Sequence, residues 1–107
     1  MSSPVATAEF QTIARVEEIP PGTVTTVQVG EQAIALANVD GEFYATQNAC
    51  LHLEGPLGEG WLEGPRLTCP WHGWQYDVRT GENEFDRAIA LETFHVVVED
   101  GEVRVLL

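Results

Sequence analysis

The stretch Asn48–Trp74, NACLHLEGPLGEGWLEGPRLTCPWHGW, holds both cysteines of the chain and two of its three histidines. Its spacing is Cys50-x-His52, then sixteen residues, then Cys69-x-x-His72. Thiolate and imidazole are the ligands soft enough for zinc, copper or iron–sulfur centres, so the doubled pattern points to a metal. A Cys50–Cys69 disulfide would suit a secreted domain, but MSSPVATAEF has neither the basic start nor the apolar run of a signal peptide. Such a disulfide would also leave the histidines without a purpose. Buried cysteines acting as small hydrophobes would account for neither pair. Zinc is the serious competitor, although common zinc fingers place cysteine with cysteine in one loop and histidine with histidine in another. Here each loop offers one of each, which suits a binuclear centre with the cysteines on one ion and the histidines on the other.

The flanking sequence reads as strands. A chain of 107 residues with 44% hydrophobic content suits a single domain, 1–107, with a core that needs no disulfide. Apolar and β-branched residues run from Phe10 to Val16 and from Thr23 to Val29, punctuated by Pro20-Pro21-Gly22 and Gly30-Glu31. QAIALANVDGEFYAT and FHVVVEDGEVRVLL each place Asp-Gly between two apolar segments, the composition of a two-residue hairpin turn. In the second, Phe94, Val96 and Val98 should share one strand face, and His95, Val97 and Glu99 the other. No segment has a helical apolar stripe. Short strands at close spacing indicate an all-β sandwich or barrel. From Leu53 to Thr68, four glycines and two prolines suggest irregular loops, part of an insertion at about residues 47–80 that carries the site. Within it, GPLGEG is expected to cover the site, its small residues letting backbone approach sulfur.

Seventeen acidic residues against five arginines give a net charge of −12, which makes nucleic acid and anionic membranes poor partners. No run approaches the roughly 20 apolar residues of a membrane span. A soluble, cytoplasmic protein is expected, with a solvated acidic surface that could also steer a basic partner.

The boxes CLH and CPWHGWQYDVRTG resemble the two cluster-binding motifs of the Rieske-type ferredoxins. That resemblance implies an antiparallel β-sandwich with a small loop-rich cluster-binding subdomain. It also implies one 2Fe-2S cluster, with Cys50 and Cys69 on the buried iron and His52 and His72 on the outer iron. Pro70 and Gly73 match the second box and would shape its turn. Trp71 stands where high-potential members carry a cysteine bonded to the first loop, and Gly55 stands at the partner position, so that disulfide is absent. Trp74 replaces a serine whose hydroxyl bonds a cluster sulfide, while Tyr76 matches a tyrosine beside a ligand cysteine. Trp71, Trp74 and Tyr76 would pack over the loops, tune the cluster, or both.

Rieske centres span about −150 to +300 mV, and these replacements place the expected potential at the negative end near neutral pH. The chain leaves no room for a mononuclear iron domain, so the expectation is an electron carrier rather than an enzyme. It would pass electrons from a flavin-containing reductase to a terminal oxygenase in aromatic-compound degradation. The alternatives are the Rieske-like small subunit of assimilatory nitrite reductase and a structural zinc module. His95 lies outside both boxes and is expected on an exposed strand face.

Overall fold

A computed structural model describes residues 10–107. Nine strands account for about half of them: β1 (Phe10–Arg15), β2 (Thr23–Val29), β3 (Gln32–Val39), β4 (Glu42–Gln47), β5 (Trp61–Glu63), β6 (Arg66–Thr68), β7 (Gln75–Asp77), β8 (Thr93–Glu99) and β9 (Glu102–Leu106). They form a six-stranded sheet of order β1-β9-β8-β4-β3-β2 and a three-stranded sheet of order β5-β6-β7, with every pairing antiparallel. Helical structure among the described residues is confined to the 3-10 turns Val16–Glu18 and Leu57–Glu59.

The large sheet is two three-stranded halves joined along a short seam, where only Ala45↔Phe94 and Thr46↔Thr93 pair between β4 and β8. So little pairing at the seam lets the sheet curl, and the two halves face one another. Ile34, Leu36 and Ala45 from one half bury against Val103 and Val105 from the other. This is the sandwich that the strand pattern indicated.

Both Asp-Gly turns form as expected. Val39 pairs with Glu42 across Asp40 (φ 51°) and Gly41 (φ 97°), and Glu99 pairs with Glu102 across Asp100 (φ 52°) and Gly101 (φ 76°). Two consecutive left-handed residues match the twist of the flanking strands, and Asp-Gly tolerates that conformation at low cost. β1 stops one residue short of the expected Val16, where a 3-10 turn begins and the Arg15 N–H turns to the Glu18 carboxylate (2.8 Å).

β3 is the wall between two cores, with residues 34–38 all buried. Ile34 and Leu36 face the sandwich interior, whereas Ala35 and Ala37 belong to the core that contains Cys50, Leu57, Leu67, Cys69 and Tyr76. Alanine at both positions leaves room for the loops to settle directly on the strand.

One expectation needs correction. The stretch from Leu53 to Thr68 is not wholly irregular, since β5 and β6 form a hairpin across Gly64-Pro65 with Gly64 at φ 56°. Three-residue strands are too short to show a period of two. Phe94, Val96 and Val98 do share one face of β8; the first two pack inward, while Val98 is 47% exposed, so burial on that face ends before the turn.

Asn38, 2% exposed, ties the β3–β4 turn to the segment before β2. Its Nδ2 donates to the Ile19 carbonyl (2.7 Å) and its Oδ1 accepts from the Gly41 N–H (2.7 Å). Asn38→Ala leaves both groups unpaired and should cost about 2–4 kcal/mol in urea unfolding. A loss below about 0.5 kcal/mol would show that water replaces the amide.

Candidate metal centre

The Cys50 and Cys69 loops are the same backbone shape used twice. In each, the cysteine N–H donates to the carbonyl five residues on, Cys50 to Gly55 (2.9 Å) and Cys69 to Trp74 (2.8 Å). In each, the cysteine sulfur accepts from the N–H two residues on, His52 to Cys50 and Trp71 to Cys69, both at 3.4 Å. The third and fourth residues after each cysteine are left-handed: Leu53 (φ 61°) and Glu54 (φ 57°) in the first loop, His72 (φ 68°) and Gly73 (φ 75°) in the second. Three of these four are not glycine, and such backbone costs of the order of 1–3 kcal/mol per residue unless its surroundings hold it. The difference between the motifs is therefore one of ligand position on a common loop, with His52 two residues after its cysteine and His72 three.

The loops also cross-pack reciprocally. Gly55 of the first abuts Trp71 and Cys69 of the second, so close that an added Cβ would lie 2.7 Å from the Cys69 sulfur and 3.0 Å from the Trp71 Cβ. The fifth residue of the second loop, Trp74, in turn stacks on His52, with centroids 4.7 Å apart and planes 12° from parallel. The position that a disulfide would bridge in high-potential members is here a glycine–tryptophan contact.

The sulfurs lie inside and the imidazoles outside. Cys50 and Cys69 are 1% and 0% exposed and both are free thiols. Burial pushes the Cys69 thiol up to about 11, the Trp71 N–H opposes the rise, and the neighbouring Cys50 thiol adds to it. Tyr76, fully buried, sets its hydroxyl 3.2 Å from the Cys50 sulfur and accepts from the Leu51 N–H at 3.3 Å. The His52 and His72 rings lie 5.0 Å apart at 76°, with His52 half-buried and His72 exposed.

This donor set fits a two-iron cluster. Two buried thiols side by side need a cation to ionise at neutral pH. The buried Nδ1 of His52 has no hydrogen-bond partner, and that vacant lone pair is what an iron would take.

Every residue singled out in the boxes stands at this site. Pro70, half-buried, follows Cys69, Gly73 completes the left-handed pair, and Trp71 is 49% exposed at the loop surface. GPLGEG does bring backbone against sulfur, at Gly55. His95 is exposed, its ring edge-on to Phe10 at 5.9 Å, far from any role here. Three features escaped the motif: the Trp74–His52 stack, Asn83 behind Tyr76, and the exposed Leu51 (46%) and Leu53 (62%) that flank His52. The leucines carried a signal, being apolar residues alternating with polar ones at a loop tip. Gly55→Ala should destabilise the protein by about 1–3 kcal/mol and lower its iron content, because the fully buried Cys69 sulfur has no room to retreat. Unchanged stability and iron would show that the loops can part.

Residues 9–95 match the Rieske [2Fe-2S] domain family. The ferredoxin component of the naphthalene 1,2-dioxygenase/salicylate 5-hydroxylase systems of a Ralstonia species is 44% identical over 69 residues, covering 64% of this chain and 66% of that one. The Sphingomonas yanoikuyae B1 ferredoxin superposes with a TM-score of 0.84 at 32% identity, over 92% of this chain and 99% of that one. The complex of reduced oxygenase and oxidised ferredoxin in carbazole 1,9a-dioxygenase contains a chain with a TM-score of 0.82 and 34% identity, over 91% of this chain and 92% of that one. With both loops, both sheets and most of its length matched, the chain belongs to the Rieske [2Fe-2S] domain family, whose cluster is held by two cysteines and two histidines.

Proposed function

We propose that Cys50 and Cys69 ligate the inner iron of a 2Fe-2S cluster and His52 and His72 the outer iron. On this reading the chain carries single electrons from a flavin-containing reductase to a terminal oxygenase in the cytoplasm. The observation that carries the proposal is the division of the donors, thiols at 0–1% exposure and imidazoles at the surface, on two loops of one shape. When bound, the cluster supplies one-electron exchange; substrate chemistry is left to a partner.

The chain's own residues prepare that exchange. The N–H groups of His52 and Trp71 and the Tyr76 hydroxyl point at sulfur, where they offset the negative charge that an added electron brings. Replacing two thiolates by neutral imidazoles makes the oxidised centre formally neutral rather than a dianion, which eases reduction relative to an all-cysteine cluster. Trp74 puts an indole face on His52 in place of a hydroxyl at sulfur, in keeping with a potential at the negative end of the range. Burial keeps water from the sulfurs, and the histidine edge gives the electron a short route out.

Leu51, Leu53 and Trp71 form an apolar rim at that edge. Exposed apolar side chains around a redox edge suit a transient interface, and the net charge of −12 suits steering toward a basic patch. The ferredoxin–oxygenase complex of carbazole 1,9a-dioxygenase supports a partner of this class.

Cys69→Ser removes one of only two thiolates and should abolish iron and sulfide binding, with loss of visible absorption. Full iron and sulfide in that variant would contradict the ligand assignment. Leu53→Asp should leave the visible spectrum and potential unchanged, yet slow oxidation of the reduced protein by a ring-hydroxylating terminal oxygenase about tenfold in stopped flow, equivalent to about 1.4 kcal/mol. An unaltered rate would place the docking surface elsewhere.

A further inference from the structure

Asn83 is one of the few buried polar side chains, 2% exposed, and the cluster ligands do not need it. It sits in a segment that extends the small sheet, where Tyr76 and Asn83 form an isolated antiparallel bridge and the Glu84 N–H donates to the Gln75 carbonyl (2.9 Å). Its backbone N–H donates to the Ile89 carbonyl (2.8 Å). Its Oδ1 accepts from the N–H groups of Phe85 (2.8 Å) and Asp86 (3.2 Å). Two donors on Oδ1 fix the amide's orientation, so Nδ2 is the inner atom, buried and without a hydrogen bond. A buried amide donor left unpaired costs about 1–3 kcal/mol, which calls for a reason.

The neighbouring Tyr76 hydroxyl supplies one. Tyr76 is the cross-strand partner of Asn83, and both side chains are buried. A phenol has one hydrogen to give and two lone pairs to fill. Once Cys50 is a thiolate it has no hydrogen, so the Tyr76 O–H must donate to it across the 3.2 Å contact. One lone pair then accepts from the Leu51 N–H at 3.3 Å. The other is open, and the nearby donor without a partner is Asn83 Nδ2.

Building on the ligand assignment above, we propose that Asn83 is a positioning residue for the redox centre: once the Tyr76 O–H donates to the Cys50 sulfur, the Asn83 Nδ2–H, unpaired in this structure, closes on the open lone pair of the Tyr76 hydroxyl and holds the O–H on that sulfur. Two N–H donors on the phenol oxygen make its hydrogen more acidic and its bond to sulfur stronger, since hydrogen bonds in a chain polarise one another. A stronger bond at sulfur favours the more negative, reduced centre and so raises the potential. Asn83 acts through Tyr76 and touches no ligand itself.

The test is voltammetry of the cluster-loaded protein and of Asn83→Ser, Tyr76→Phe and the double variant. Serine keeps an oxygen that can cap the Phe85 and Asp86 N–H groups but loses the amide donor. The expected result is a more negative potential in Asn83→Ser, a larger negative shift in Tyr76→Phe, and no further shift on adding Asn83→Ser to Tyr76→Phe. An unchanged potential in Asn83→Ser, or the same shift in both backgrounds, overturns the proposal. If Asn83→Ser loses the cluster, Asn83→Thr takes its place, and cluster loss in both overturns the proposal by assigning Asn83 to folding of the turn. Wild-type protein that takes up no iron and sulfide would instead defeat the ligand assignment, which the voltammetry of a loaded protein separates from the role of Asn83.

Discussion

The site depends on one constraint, that each cysteine N–H reach the carbonyl five residues ahead. Closing a loop that short forces two successive residues into left-handed backbone and turns the next available N–H onto the sulfur. Because both loops obey it, they present sulfurs inward from similar positions and can pack against each other reciprocally, Gly55 on Trp71 and Trp74 on His52. The backbone strain is local, and it is held by burial of the cysteines in a core shared with Leu57, Leu67 and Tyr76. Stability made elsewhere in the sandwich sustains an arrangement that the loops would not adopt alone.

β3 connects that sandwich to the site. One face builds the sandwich interior with Ile34 and Leu36, and the other, thinned to Ala35 and Ala37, receives the loops. A larger side chain at either alanine would push the loops outward and open the sulfurs to water. The outer surface follows from the same geometry: with sulfur packed on β3, the imidazoles and their leucine and tryptophan neighbours are what remains to face a partner.

The parts legible from the sequence are those in which a residue's own chemistry dictates its place. Asp40-Gly41 and Asp100-Gly101 announce left-handed turns, and Cys50, His52, Cys69 and His72 announce themselves as the candidate ligands, because few other residues can serve. The small sheet was not legible, since three residues such as Trp61–Glu63 or Arg66–Thr68 carry no period. Asn83 was not legible either: its meaning comes from a bridge to Tyr76, and nothing local in GENEFD marks it as buried. Trp74 lies in the second box, but its partner His52 lies in the other loop, and only the shared loop shape brings them together. Val98 keeps the face of Phe94 and Val96 but not their burial, which is set by tertiary packing rather than by the strand pattern.

The central claim is that two thiolates and two imidazoles share one binuclear cluster. Electron paramagnetic resonance of the dithionite-reduced protein tests it most directly, since replacing thiolate by imidazole on one iron changes both the symmetry and the mean of the g values. A rhombic signal with a mean g below that of all-cysteine 2Fe-2S clusters is the predicted result. A spectrum matching four-cysteine clusters, or no signal from a protein that contains zinc in place of iron, would contradict it.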